Sequence, residues 1–178
     1  MGIETLKAIE DDPELTLVGQ TDLGDDLESA IRQTEADAVV DFTTASCFTL
    51  TYGTSHYALK NRGQLKEGEN LLVLGAAGGV GISAVEIGKA MGARVIAGAS
   101  SDEKLEVCKE YGADEVINYG QYDLTDRDQV KQFRAEISKA TNAKGPDVIY
   151  DPVGADFTEP ALRSIAWNGR FFCLLYTS

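Results

Sequence analysis

The sequence predicts an α/β fold: a doubly wound parallel sheet in the order 3-2-1-4-5, preceded by a partial α/β arm. Three observations predict it. Short apolar runs alternate with segments of helical period over residues 69–175. The run Leu71–Leu74 holds no polar residue, as a strand buried on both faces requires. A cluster of glycines stands where that run ends and a helical period begins. Strands separated by helices pair in parallel, and right-handed crossovers wind the sheet outward in both directions from its first strand.

Ile3, Leu6 and Ile9 recur at helical spacing, and Pro13 ends that run. Leu15–Gly19 reads as a strand, Asp25–Glu35 as a helix with Leu27, Ala30 and Ile31 on one face, and Ala38–Phe42 as a second strand. Thr51–Lys60 reads as a helix before a turn at Asn61-Arg62-Gly63. The spacing then becomes regular. Leu71–Leu74, Val95–Ala99, Glu115–Asn118, Val148–Asp151 and Phe171–Leu175 are the five strands. Between them run helices Val80–Met91, stopped by Gly92, and Asp102–Tyr111, stopped by Gly112. Asp126–Ala140 follows, with Val130, Phe133 and Ile137 inward. Thr158–Trp167 is closed by the left-handed stop signal Asn168-Gly169.

Composition sets the outer bounds. The 178 residues are 43% hydrophobic and 25% charged, ordinary for one globular domain and unlike a disordered chain or a fibre. A net charge of −13 argues against nucleic acid and anionic membrane as partners. Residues 1–46 carry −10 of it and residues 47–178 only −3, a step that marks a seam near residue 46. The three cysteines, Cys47, Cys108 and Cys173, form no CxxC pair, and His56 is the one histidine. Neither a disulfide framework nor a multi-histidine metal site is expected. No apolar run approaches the ~20 residues of a membrane span. The acidic N-terminus has no signal-peptide core, so a cytoplasmic protein is expected.

The strongest local signal is the run from Leu71 through Gly75-Ala76-Ala77-Gly78-Gly79-Val80-Gly81. Glycine lets the backbone turn sharply and approach a pyrophosphate closely. The helix N-terminus then offers its free N–H groups to the anion. That is a Rossmann-type dinucleotide signal, with Gly78, Gly79, Val80 and Gly81 as the cradle; a tight turn that binds nothing is the plain alternative. Gly88 and Gly92 are expected to let the same helix pack closely on the sheet. NAD sites usually place an acid at the tip of the second strand. Here that tip is Ser100-Ser101, with Lys104 one turn on and Tyr119 at the end of strand 3. This set suits a 2′-phosphate and hence NADPH. A serine that only caps the next helix is the alternative, and the neighbouring Asp102 and Glu103 count against a phosphate.

Residues 48–172, about two thirds of the chain, resemble the cofactor domain of the zinc-independent medium-chain reductases of the quinone oxidoreductase group. The matching runs are TLTYGTSHYAL (49–59), LKEGENLLVLGAAGGVG (65–81), GKAMGARVIAGASSDEKLEVCKEYGADEVINY (88–119), GPDVIYDPVG (145–154) and ALRSIAWNGRFF (161–172). The resemblance implies hydride transfer from NADPH to a small-molecule quinone or activated alkene, with the oligomeric state left open. It assigns Gly78, Gly79, Val80 and Gly81 to the pyrophosphate loop. Ser100, Lys104 and Tyr119 fall to the 2′-phosphate. Thr54 falls beside the nicotinamide, and the loop Asp151-Pro152-Val153-Gly154 flanks it. The plain alternatives are a helix-backbone bond for Thr54 and turn roles for Asp151 and Gly154. It implies no catalytic acid–base residue and no metal, and His56 reads as an ordinary helix residue.

Two departures stand out. The family's substrate domain, which precedes this region, has no counterpart in the sequence, so this chain is expected to bind cofactor with little turnover. Residues 173–178 do not continue the family pattern and read as a non-family tail. Residues 1–46 resemble a different group, the N-terminal part of dihydrodipicolinate reductase, which would put Asp22 at the adenosine ribose and Asp41-Phe42-Thr43 near the nicotinamide. That piece lacks its own glycine loop, and turn and strand roles are favoured for these residues. The expected organisation is a partial arm over 1–46, a dinucleotide domain over 47–172 and the tail. A fusion of two reductase pieces, a dinucleotide-binding module without turnover and a lysine-pathway reductase are the alternatives.

Overall fold

The computed structural model describes residues 42–174. The chain divides into two compact units, 1–53 and 54–178. In the first unit the described residues are the opening turns of helix α1 (Phe42–His56). Phe48 and Tyr52 stack along it with ring centroids 4.9 Å apart, as neighbours four residues apart on one helix face do. Phe42, expected as the end of a strand, instead opens this helix. No glycine or proline interrupts the chain from Phe42 to Tyr52, so the helical period runs unbroken. The seam drawn between residues 46 and 47 falls within α1. The elements expected over 3–9, 15–19, 25–35 and 38–41, with Asp22 and Asp41, lie outside the described residues, as do tail residues 175–178.

In the second unit, α1 runs out through a wide π-type turn, Tyr57–Arg62, which buries Ala58 and Leu59. Five parallel strands follow: β1 (Asn70–Val73), β2 (Arg94–Ala99), β3 (Glu115–Asn118), β4 (Val148–Asp151) and β5 (Arg170–Cys173). Their order is β3-β2-β1-β4-β5, the doubly wound order expected. The register pairs Val73 with Ala97 on one side and with Tyr150 on the other.

Strand alternation sorts the core onto two faces. Leu71, Val73, Val95, Ala97, Val148 and Tyr150 pack with Leu59, Ala84, Val85 and Cys108. Those partners come from the π-type turn and from helices α2 (Gly79–Ala90) and α3 (Asp102–Glu110). Leu72, Leu74, Ile96, Ile117 and Ile149 face the other way. They pack with Phe133 and Ile137 of α4 (Arg127–Ala140) and Ala161 of α5 (Thr158–Leu162). Both faces are covered, which is why β1 and β4 carry no solvent-side residue.

Gly88 does bring α2 onto the sheet: a Cβ there would stand 2.4 Å from Leu71 Cδ2. Gly92 does not. It takes φ +77° past the end of α2 and lies against Glu67, a stop residue rather than a packing one. Asp126 caps α4, accepting from the N–H groups of Asp128 and Gln129 at 2.8 and 3.0 Å.

One helix is shorter than its period implies. α5 ends at Leu162, not Trp167. The Ala166 N–H leaves the helix to bond the Pro146 carbonyl at 2.9 Å, so a tertiary bond replaces the next helical turn. Asn168 does take the left-handed φ of +63° that its stop signal implies. At the opposite end of the sheet from the glycine turn, Arg170 forks onto the Glu69 carboxylate and donates Nε–H to the Gly63 carbonyl at 2.9 Å. This ties the first and last strands to the segment after α1.

Candidate functional site

The C-terminal ends of the strands put the expected residues along one edge of the sheet. β1 runs into the glycine turn, β2 into Ser100, β3 into Tyr119 and β4 into Pro152-Val153-Gly154. In an open doubly wound sheet a ligand lies in the crevice along this edge, where β1 and β4 diverge.

The turn after β1 is made almost entirely of backbone. Gly75 takes φ +58°, and a Cβ on it would stand 2.7 Å from Val153 Cγ2. A Cβ on Gly81 would come within 2.3 Å of the Gly75 carbonyl oxygen and 2.8 Å of Ala76 Cα. Helix α2 therefore enters at a depth only glycine allows. Gly78 is its N-cap and makes no side-chain cap bond. The N–H groups of Gly79, Val80 and Gly81, in the first turn, have no acceptor within the helix. Gly78 and Gly79 are exposed. The arrangement presents donors and the positive end of a helix dipole to an anion, with no side chain in the way.

The turn after β2 is made of side chains. Lys104 Nζ donates to Ser100 Oγ at 3.0 Å, so the two residues are brought together. Ser101 stands at the N-cap of α3, yet its hydroxyl makes no cap bond. Asn118 Nδ2 donates to Asp102 Oδ1 at 2.7 Å, which engages one of the two acids beside the site. Ser100, Ser101, Asp102, Glu103, Asn118, Gly120 and Gln121 line a pocket of about 360 Å³.

Tyr119 is not part of that group. Its ring is buried, with its centroid 4.4 Å from that of Phe157. Burial, with the nearby Asp151 charge adding to it, pushes the phenol above its usual range. Tyr119 thus packs inward against Phe157, while Ser100 and Lys104 bond each other.

Asp151 is fully buried and organises the loop after β4. Its Oδ1 accepts from the N–H groups of Val153 and Gly154 at 3.0 and 2.8 Å, and its Oδ2 accepts from Thr158 Oγ1 at 2.8 Å. Gly154 takes φ +70°, ψ −148°, a conformation reserved to glycine. The loop thus lays Val153 against Gly75. Thr54 is half-buried near the end of α1, and His56 closes that helix.

Beside Thr54 lies a feature that sequence reading misses. Ser55 is fully buried, and its Oγ lies 2.9 Å from the Val80 carbonyl oxygen, 2.9 Å from Ser83 Oγ and 2.8 Å from Tyr150 OH. Ser83 Oγ also donates to the Val80 carbonyl at 3.0 Å. The only sequence signal is three hydroxyl residues at positions that otherwise read as apolar.

A Gly-rich turn that leads from the first strand of a doubly wound sheet into a helix is the mark of a dinucleotide-binding domain. The zinc-binding dehydrogenase family model matches residues 79–174, just over half of the chain, and the chain belongs to that family. It is 35% identical over 131 residues to the quinone oxidoreductase-like protein 2 homolog of Nematostella vectensis, covering 73% of this chain and 33% of that protein. The quinone oxidoreductase of Pseudomonas syringae pv. tomato DC3000 superposes with a TM-score of 0.66 at 36% identity, covering 76% of this chain and 39% of that one. The nucleotide-binding subdomain of the enoylreductase domain of PpsC from Mycobacterium tuberculosis gives 0.60 at 31%, covering 70% and 64%.

The chain spans about a third of the length of the quinone oxidoreductase-like relatives it matches. Over that span it is a quinone oxidoreductase-like and enoyl reductase-like nucleotide-binding domain. The described residues offer zinc no ligand set, since no group of three or more His, Cys, Asp or Glu side chains is placed to hold a metal. No helix among the described residues is long and apolar enough to cross a membrane.

Proposed function

We propose that residues 47–172 bind NADPH and present its nicotinamide for hydride transfer to a quinone or an activated alkene. The observation that carries this reading is the Ser100–Lys104 pair at the tip of β2, beside a glycine turn that only backbone fills. When bound, the cofactor supplies the hydride. The chain's own residues bind and orient. The N–H groups of Gly79, Val80 and Gly81 hold the pyrophosphate. Lys104 holds the 2′-phosphate by a charge-assisted bond, with the Ser100 hydroxyl beside it. Thr54 and Val153 bound the nicotinamide, and Asp151 and Gly154 keep the Val153 loop in place. Positioning of the cofactor is the contribution these residues make to the reaction.

Binding without turnover is the second reading. One experiment separates the two. NADPH binding is followed by fluorescence, and NADPH oxidation is then followed with a quinone or an enone added. Binding with slow acceptor-dependent oxidation supports hydride transfer, and binding with none supports the module. Absence of binding contradicts both.

A further inference from the structure

The buried hydroxyls of Ser55, Ser83 and Tyr150 join three separate parts of the candidate site. Ser55 follows Thr54 directly on α1, Val80 lies in the first turn of α2, and Tyr150 precedes Asp151 on β4. All three hydroxyl residues are fully buried. The contacts span 25, 28 and 95 residues of sequence. The donors and acceptors within the cluster are mutually consistent. Ser55 donates to the Val80 carbonyl and accepts from Tyr150, and Ser83 donates to Val80 or to Ser55. Core packing does not call for this arrangement, since alanine and phenylalanine would fill the same places without polar atoms to satisfy. A connected polar cluster fixes one geometry where an apolar contact tolerates several.

We propose that Ser55 is a positioning residue. Through Tyr150 and Val80 it locks the Thr54 edge of α1 against the loop after β4, and so sets the nicotinamide half of the cofactor site. This rests on the NADPH reading above. Its two ends are distinct from the Ser100–Lys104 end, which shares none of these bonds. The cluster therefore acts on one half of the ligand and not on the other.

The test uses the full chain, with NADPH and with adenosine 2′,5′-bisphosphate, which lacks the nicotinamide half. Ser55→Ala and Tyr150→Phe are compared with the unaltered chain by competitive titration, with melting temperatures recorded alongside. Tyr150→Phe removes one oxygen and keeps the ring, so a folded variant is secured even where Ser55→Ala unfolds. The expected result is an NADPH affinity weakened about tenfold in Ser55→Ala, and less in Tyr150→Phe, with the bisphosphate changed less than about twofold in both. Equal losses for the two ligands, or a lower melting temperature with unchanged affinity, reduce the cluster to a structural role and overturn the proposal. If the unaltered chain binds the bisphosphate and NADPH equally, the nicotinamide half makes no contribution and the proposal falls alone. If it binds neither, the NADPH reading falls and takes the proposal with it.

Discussion

The turn after β1 and the turn after β2 stand next to each other on one edge of the sheet and are built by opposite means. The first is backbone held at contact distance: Gly81 against Gly75, and Gly75 against Val153. The second is a set of side chains, Ser100 with Lys104 and Asn118 with Asp102, around an open pocket. A backbone cradle recognises what all dinucleotides share, because every pyrophosphate accepts the same N–H bonds. A side-chain rim reads what differs between them. Changes in the first are therefore expected to destroy fold and binding together. Changes in the second should move selectivity and leave the fold alone.

The sharpest way to break this contrast is Gly81→Ala. Its Cβ meets backbone on two sides, at 2.3 and 2.8 Å, with no flexible side chain to yield. A loss of about 3 kcal/mol or more in urea melts is expected, with no measurable NADPH binding. A stable, binding Gly81→Ala chain contradicts the cradle's geometry.

The fork of Arg170 on Glu69 serves as a control remote from both turns. Arg170→Ala should cost about 1–3 kcal/mol near neutral pH without altering cofactor selectivity. Burial pushes the Glu69 carboxyl up, but Arg170 and the Lys66 N–H together hold it below the usual glutamate value of 4.5. A carboxyl lowered in the fold contributes stability fully above 4.5 and loses it as pH falls through the lower folded value. Melts taken on the acid side should show this loss in the unaltered chain and a smaller one in Arg170→Ala.

Lys104→Ala tests the rim. NADPH affinity should fall about tenfold, with NADH affinity and melting temperature unchanged. The smallest effect is expected from Asp102→Asn. It removes a negative charge beside the pocket and should tighten NADPH about two- to threefold at low salt.

The same contrast explains what could be read from sequence. The glycine turn itself was legible because glycines at the end of an apolar run announce a sharp entry into a helix. The doubly wound order followed from element spacing alone. Gly92 was legible as the stop of its helix, but the packing role also expected of it was not borne out, because it lies past the helix end against Glu67. The extent of α5 was not legible, since its end depends on Pro146 accepting the Ala166 N–H from another segment. Tyr119 read as a rim residue from its place after β3; its burial against Phe157, distant in sequence, follows no local pattern. The Ser55 cluster was invisible for the same reason, because its partners lie up to 95 residues away and follow no local period.

The central claim is that the backbone cradle accepts the dinucleotide and the Ser100–Lys104 rim selects NADPH. The most direct test is thermal unfolding of the chain with NADPH and with NADH at matched millimolar concentrations. Ligand at about 100 times its Kd adds about 2.7 kcal/mol of stability. A clear rise in Tm with NADPH and a distinctly smaller one with NADH is the predicted result. An equal rise with both, or none with NADPH, would contradict it.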